Sequence, residues 1–174
     1  MSAKNKIDIF LVEDDKMFLL ALKEDIESTL KNKDIKIHSF STGETCMLKF
    51  TQVLPEIVIL DYYLNKKYPD AVDGIKVLDW IKRENFETQV IMLTNEDHIN
   101  VALDSFHHGA SDYVVKSDTK FKKINYSLSN IFKIMEGKQA VKRYKLLVFI
   151  LCMCIASLVG GVIAIQVFAP ELLK

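Results

Sequence analysis

The sequence has few residues of the kinds that build disulfide frameworks, rigid turns or strongly charged surfaces. It holds three cysteines, three prolines and six glycines in 174 residues, and its 23 Lys+Arg equal its 23 Asp+Glu. Cys46, Cys152 and Cys154 have no metal-ligand or disulfide spacing, which excludes a cysteine-stapled or zinc-stabilised domain. The balanced charge gives no indication of a nucleic-acid partner. The N-terminus has no apolar run with a cleavage site, so we expect no signal peptide.

One long stretch lacks charge altogether. Residues 146–169 read LLVFILCMCIASLVGGVIAIQVFA. At about 1.5 Å of rise per residue this run extends roughly 36 Å as a helix, which is enough to cross a hydrocarbon core of about 30 Å. A buried helix of a small domain should keep a polar face, and this run has none. The sequence therefore predicts one C-terminal transmembrane helix.

The charges that flank this run predict its orientation. Four basic residues precede it, whereas only Glu171 and Lys174 follow it; the four are Lys138, Lys142, Arg143 and Lys145. An excess of Lys and Arg marks the cytoplasmic side of a span. We therefore expect a cytoplasmic N-terminal domain over residues 1–136, a basic juxtamembrane linker over 137–145, and a short tail over 170–174 beyond the membrane.

Small residues recur every fourth position within the predicted span, at Ala156, Gly160 and Ala164. This spacing lets two helices approach closely, so the sequence makes a homodimer one option. Small residues are also common in membrane helices that do not dimerise, and the pattern leaves both readings open.

Upstream of this run, five short apolar runs alternate with helical patterns. The runs are Ile7–Val12, Ile35–Phe40, Ile57–Leu60, Val90–Leu93 and Tyr113–Val115. Repeated strand–helix alternation predicts an α/β domain, in which a parallel sheet is covered by helices on both sides. The second run alternates apolar and polar residues, as expected for an edge strand with one wet face.

Polar residues follow four of these five strands. Glu13 and Asp14 follow the first, Asp61 the third, Thr94 the fourth and Lys116 the fifth. Ligands of open parallel sheets bind outside the carboxyl ends of the strands, so we expect these side chains to meet at one edge. Clustered carboxylates need a neutralising cation, and hard oxygen ligands suit Mg²⁺. A carboxylate beside that cation can carry a phosphoryl group.

At these residues the sequence resembles the receiver domains of two-component response regulators. The resemblance lies in LVEDD after the first strand, VILDYYL around Asp61, MLTN at Thr94 and GASDYVVK ending at Lys116. It covers about residues 4–136. It implies a flavodoxin-like, doubly wound sheet of five parallel strands in the order 2-1-3-4-5.

The resemblance also assigns roles around the metal. Asp61 matches the phosphorylated aspartate, and Glu13 and Asp14 match the acidic pair that holds Mg²⁺. Asp14 is the direct ligand of the pair, and Glu13 acts through water. The backbone carbonyl of Tyr63 matches the third protein ligand, whereas Asp15 lies one place beyond the pair and is left out.

Three further residues match the part of the family that responds to phosphorylation. Lys116 matches the lysine that pairs with the phosphoryl oxygens, and Thr94 matches the hydroxyl that moves to meet them. Tyr113 matches the aromatic residue that turns inward when that hydroxyl moves.

The sequence departs from the family pattern at three places. The stretch from Asp61 to Gly74 is longer than the usual loop, which predicts an insertion beside the site. Asn95 stands where a small residue is usual, and Ser117 replaces the usual proline. A cis peptide before Ser117 is not expected, because a non-proline cis bond costs about 2.5–4 kcal/mol. None of these changes removes a chemical group, so we expect phosphorylation to be retained.

The resemblance implies that a histidine kinase or phosphotransfer protein is the donor and that a downstream protein effector receives the signal. We expect no nucleic-acid contact, since the fifth helix leads directly into the apolar run. We also expect no enzyme activity beyond self-catalysed phosphotransfer and autodephosphorylation, and a location at a bacterial inner membrane. The alternative is a phosphorylation-independent adaptor or dimerisation module at the membrane. The complete set of polar residues at the strand ends favours the phospho-acceptor.

Overall fold

A computed structural model describes residues 6–64, 72–95 and 99–168. Strands and helices alternate along the chain. In order they are β1 (Ile7–Val12), α1 (Lys16–Thr29), β2 (Ile35–Phe40), α2 (Gly43–Val53), β3 (Ile57–Asp61), α3 (Gly74–Glu84), β4 (Gln89–Thr94), α4 (Ile99–His107), β5 (Asp112–Val115) and α5 (Lys120–Phe168).

The five strands form one parallel sheet in the order β2-β1-β3-β4-β5, which confirms the predicted sheet and its strand order. The register aligns the carboxyl ends of the strands: Val12 pairs with Leu60, and Thr94 pairs with Val115. The residues that directly follow β1, β3, β4 and β5 therefore lie at the same edge of the sheet.

The burial of the strands follows their place in the sheet. Every residue of β3 is buried, and β1 and β4 are buried except at their first residue. The edge strand β2 has no fully buried residue, as its alternating sequence predicts. Apolar side chains from α2 and α3, such as Phe50, Leu78 and Ile81, pack with Phe10 and Leu60 in one buried cluster.

Local chemistry sets the ends of several helices. Asp15, Thr42 and Asp73 are the N-caps of α1, α2 and α3, and each side chain accepts a hydrogen bond from a backbone N–H of the first turn. Gly109 follows α4 with φ +93, a left-handed conformation that favours glycine. All peptide bonds of the described residues are trans, including the bond between Lys116 and Ser117.

The chain divides into two compact units between Ser129 and Asn130. We call the described residues up to Ser129 the sheet unit and residues 130–168 the C-terminal helix. The division falls within α5, which runs unbroken from Lys120 to Phe168. The helix continues through Gly137 and through the segment predicted as a linker.

The predicted transmembrane helix is not found among the described residues, where no helix is both long and apolar enough to cross a membrane. Position 169 and the side chains at 158, 159 and 161–168 lie outside the described part of the chain. Only twelve consecutive side chains of the predicted span, 146–157, are described, fewer than the roughly 20 that a span needs.

Candidate functional site

Three carboxylates from two neighbouring strands converge at the carboxyl edge of the sheet. Glu13 and Asp14 follow β1, and Asp61 is the last residue of β3. Each of the three offers a carboxylate oxygen, and these oxygens all lie within 4.8 Å of one another. The three residues are buried, with exposed fractions of 2%, 4% and 1%. Such burial of like charges is unfavourable unless a positive partner is present.

Lys116 brings a positive charge into this cluster from the end of β5. Its Nζ lies 2.6 Å from Oε2 of Glu13 and 3.0 Å from Oδ1 of Asp61. Its backbone N–H donates a hydrogen bond to the carbonyl of Thr94 at 2.7 Å, which continues the pairing of β4 with β5 past the strand ends. The ammonium is thereby positioned by the sheet itself.

Burial opposes ionisation of two of these acids, and Lys116 only partly offsets it. Burial, together with the charge of Asp61, raises the pKa of Glu13 to about 7, although Lys116 acts in the opposite direction. Burial also raises the pKa of Asp61 against the opposing effects of Lys116 and of a backbone hydrogen bond from Tyr63. One lysine does not offset the desolvation of this group of acids.

The donor set fits a small divalent cation. Among the described residues, Oδ1 of Asp61 is a buried oxygen that accepts no hydrogen bond, although the Lys116 ammonium is close by. A buried carboxylate oxygen with open lone pairs, beside two further carboxylates, is a suitable ligand for Mg²⁺. The residues that would hold the ion are Glu13, Asp14 and Asp61.

The other predicted residues lie around this cluster. Thr94 ends β4 and is fully buried, whereas its neighbour Asn95 lines the cavity over the carboxylates. Tyr113 lies on β5, half-buried against the core and not on the wall of that cavity. Tyr63 contacts the Asp61 carboxylate through its backbone N–H, and the ligand role of its carbonyl stays a prediction.

Three residues of the cavity wall were not predicted to lie there, namely Asp15, Phe18 and Lys120, whereas Asn95 was expected beside the phosphoryl group. The cavity measures about 260 Å³ and is lined by Glu13, Asp14, Asp15, Phe18, Asp61, Asn95, Lys116 and Lys120. Asp15 could have been found from sequence, because it directly follows Glu13 and Asp14 at the end of β1. Phe18 and Lys120 carry no such signal, since only the packing of α1 beside α5 brings them to the cavity.

Gly74 is a further residue that the site requires. A Cβ at this first residue of α3 would lie 2.2 Å from the backbone oxygen of Asp61 and 2.8 Å from Cα of Tyr62. Its N–H donates to the carbonyl of Tyr62 at 2.9 Å. Only glycine allows this close approach. Most of the predicted insertion before it, residues 65–71, lies outside the described residues.

Comparison with known proteins places the chain in a family. The family described as "Response regulator receiver domain" matches residues 9–125. The probable C4-dicarboxylate response regulator DctR of Bacillus subtilis is 29% identical over 144 residues, which are 82% of this chain and 54% of DctR. The response regulator GraR of Staphylococcus saprophyticus is 33% identical over 112 residues, which are 63% of this chain and 45% of GraR.

A solved structure agrees with these sequence matches. The response regulator DrrB of Thermotoga maritima superposes with a TM-score of 0.61 at 27% identity, over 76% of this chain and 54% of DrrB. The chain thus spans about half the length of the relatives that it matches. The sheet order, the acidic cluster and the match over most of the sheet unit agree, and the chain belongs to the receiver-domain family of two-component response regulators.

Proposed function

We propose that this chain accepts a phosphoryl group on Asp61, with Mg²⁺ bound beside it, and signals by contact with another protein. One observation carries the proposal: three buried carboxylates converge within 4.8 Å, and an ammonium group lies 3.0 Å from one of them. The carboxylate with that contact is Asp61, which also has the oxygen that accepts no hydrogen bond from the described residues.

Each residue of the cluster has its own role in the phosphoryl transfer. A carboxylate oxygen of Asp61 forms the bond to phosphorus while the donor's bond to phosphorus breaks, and the donor leaves with the electron pair. Lys116 pairs with the oxygens of the transferred group. Glu13, Asp14, Asp61 and the Tyr63 carbonyl would hold Mg²⁺, which would supply neutralising charge for the phosphoryl group.

The donor and the recipient of the signal are proteins in this proposal. A histidine kinase or phosphotransfer protein supplies the phosphoryl group, and no enzyme activity beyond self-catalysed phosphotransfer and autodephosphorylation is proposed. Thr94 responds to the new phosphoryl group and Tyr113 follows it, which changes the surface that an effector protein meets. The equal numbers of acidic and basic residues support a protein effector rather than a nucleic acid.

We further propose that the C-terminal helix attaches the chain to a membrane, with the sheet unit on the cytoplasmic side. Residues 146–169 carry no charge, and the described side chains at 146–157 are exposed on all sides of the helix. Such an exposed apolar surface marks a site of contact with another apolar surface. Lipid suits a helix that has no polar face. A homodimer through the small residues of the same segment is compatible with this attachment.

The phospho-acceptor proposal is tested with the purified full chain in detergent micelles. The chain is incubated with a small phosphodonor and Mg²⁺, and its intact mass is measured. We expect a gain of one phosphoryl group in the wild-type chain, no gain in Asp61→Asn, and no gain when a chelator removes Mg²⁺. No gain in the wild-type chain, or an equal gain in Asp61→Asn, would contradict the proposal and favour a phosphorylation-independent adaptor.

A further inference from the structure

The cavity over the carboxylates has a second basic residue in its wall. Lys120, at the start of α5, lines the cavity together with Lys116. Lys116 is nearly buried, with a side chain 9% exposed, and its ammonium is paired with Glu13 and Asp61. Lys120 is partly buried, and the proposed function gives it no role.

Two aromatic rings position Lys120. Its Nζ lies 5.5 Å from the ring centre of Phe121 and 6.0 Å from that of Phe18. The two rings stack with their centres 5.7 Å apart. Lys116 also contacts Phe18, its Nζ lying 4.9 Å from the ring centre. One aromatic surface thus attracts both ammonium groups and links the start of α1 to the start of α5.

The charged residues of the cavity wall are mostly acidic, and Lys120 is a positive charge among them. Four carboxylates line the cavity, Asp15 being the one outside the buried cluster. Among the described residues, no carboxylate forms an ion pair with Lys120. An anionic phosphodonor that enters the cavity is repelled by the acidic wall, and the ammonium of Lys120 is available to attract it.

We propose that Lys120 is a specificity-determining residue that favours small dianionic phosphodonors, the acyl phosphates, over donors of lower charge. The proposal rests on the function proposed above. In the reaction a carboxylate oxygen of Asp61 bonds to phosphorus, the bond from phosphorus to the acyl oxygen breaks, and a carboxylate leaves with the electron pair. Lys120 acts before this step by raising the local concentration of the dianion.

The test compares two donors of different charge on the purified full chain in detergent micelles with Mg²⁺. Acetyl phosphate is the dianion, and phosphoramidate carries less negative charge at neutral pH. The variants are Lys120→Gln, Lys120→Arg and the control Lys123→Gln, whose side chain is exposed on the same helix and lies off the cavity wall. Initial rates below saturation are read as the gain in intact mass, and circular dichroism checks folding.

We expect Lys120→Gln to lower the rate with acetyl phosphate about three- to fivefold and the rate with phosphoramidate less than about twofold, as the loss of one nearby charge predicts. Lys120→Arg should stay within about twofold of the wild-type chain for both donors because it keeps the charge. Lys123→Gln should change neither rate. With acetyl phosphate, the ratio of the wild-type rate to the Lys120→Gln rate should fall in about 0.5 M salt, because salt screens the attraction between Lys120 and the donor.

Equal losses with both donors, or no loss with either, would overturn the role of Lys120. If the wild-type chain is phosphorylated and Lys120→Gln matches it, only this inference fails. If the wild-type chain gains no phosphoryl group from either donor, the proposed function fails and the inference fails with it.

Discussion

The sheet unit and the C-terminal helix depart from the ordinary pattern of burial in opposite ways. The sheet unit buries charge: Glu13 and Asp61 are 2% and 1% exposed. The C-terminal helix exposes apolar side chains instead, with Leu147 and Phe149 each 63% exposed. Both arrangements are unfavourable in water without a partner. The comparison underlies two of the proposals above, a divalent cation beside Lys116 in the acidic cluster and lipid around the apolar helix.

The largest effect should come from placing charge in the apolar helix. Ile155 is 53% exposed and lies within the proposed membrane segment, where an arginine costs about 2.5–3.5 kcal/mol. We expect Ile155→Arg to move much of the full chain from the membrane fraction to the supernatant. The measurement is sedimentation of membranes from expressing cells, followed by detection of the chain in each fraction.

The matched control is Leu48→Arg, since Leu48 is a 74% exposed apolar residue of the sheet unit. This variant should remain with the membranes. If the wild-type chain itself stays in the supernatant without detergent, or a tag after Lys174 is accessible from the cytoplasm, the membrane proposal is wrong.

Regular periodicity and strand-end chemistry made much of the fold predictable from sequence. β1 and β2 have the predicted bounds, and β3, β4 and β5 differ from prediction by one residue at one or both ends. Their apolar runs depend on local sequence alone. Parallel topology then brings Glu13, Asp61 and Lys116 together, because residues that follow parallel strands share an edge.

The parts that could not be predicted depend on packing between distant segments. Phe18 meets Phe121 and Lys120 across about one hundred positions of sequence, and no local pattern marks that contact. The need for glycine at position 74 arises only where α3 begins against the backbone of Asp61. Position 137 opens the segment predicted as a linker, yet α5 continues through Gly137, since one glycine costs a helix only about 1 kcal/mol.

Replacing Gly74 or Gly137 by alanine should change stability by an intermediate amount. The sign should be opposite at the two positions. At Gly74 an added Cβ would collide with backbone atoms of Asp61 and Tyr62, whereas at Gly137 no described atom outside the helix's own nearby backbone lies within 4 Å of it. We expect Gly74→Ala to lower the free energy of unfolding of the sheet unit by about 1–3 kcal/mol. Gly137→Ala should stabilise the helix by up to about 1 kcal/mol.

Urea unfolding of the full chain, followed by the fluorescence of Trp80 for the sheet unit and by circular dichroism for the helix, separates these effects. Phosphorylation should slow in Gly74→Ala and stay unchanged in Gly137→Ala. A stable and fully active Gly74→Ala would show that the close approach at Asp61 is not required.

The smallest effect concerns a histidine of the sheet unit, where α4 meets α3. Nδ1 of His108 lies 2.6 Å from Oδ1 of Asp79, and this hydrogen bond, with the charges of Asp79, Asp104 and Asp73, raises the pKa of His108. A raised pKa in the folded state means that the pair stabilises fully below about pH 6.5, the pKa of an unfolded histidine. The contribution is lost as the pH rises through the pKa of the folded state.

We therefore expect the wild-type chain to lose a small part of its free energy of unfolding as the pH rises above about 6.5, a loss that His108→Gln does not show. His107→Gln, a change at an exposed neighbour on α4, serves as the control and should keep the wild-type dependence. Urea unfolding at several pH values measures the difference, and parallel curves for the wild-type chain and His108→Gln would refute it.

The central claim is that the buried acid of the sheet unit, Asp61, carries the phosphoryl group. The most direct test is to phosphorylate the full chain with acetyl phosphate and Mg²⁺, reduce it with borohydride and map the product by tandem mass spectrometry. Reduction converts an aspartyl phosphate to homoserine. The account predicts homoserine at position 61 and at no other aspartate. Homoserine at Asp14 or Asp15, or none at all from a phosphorylated chain, would contradict it.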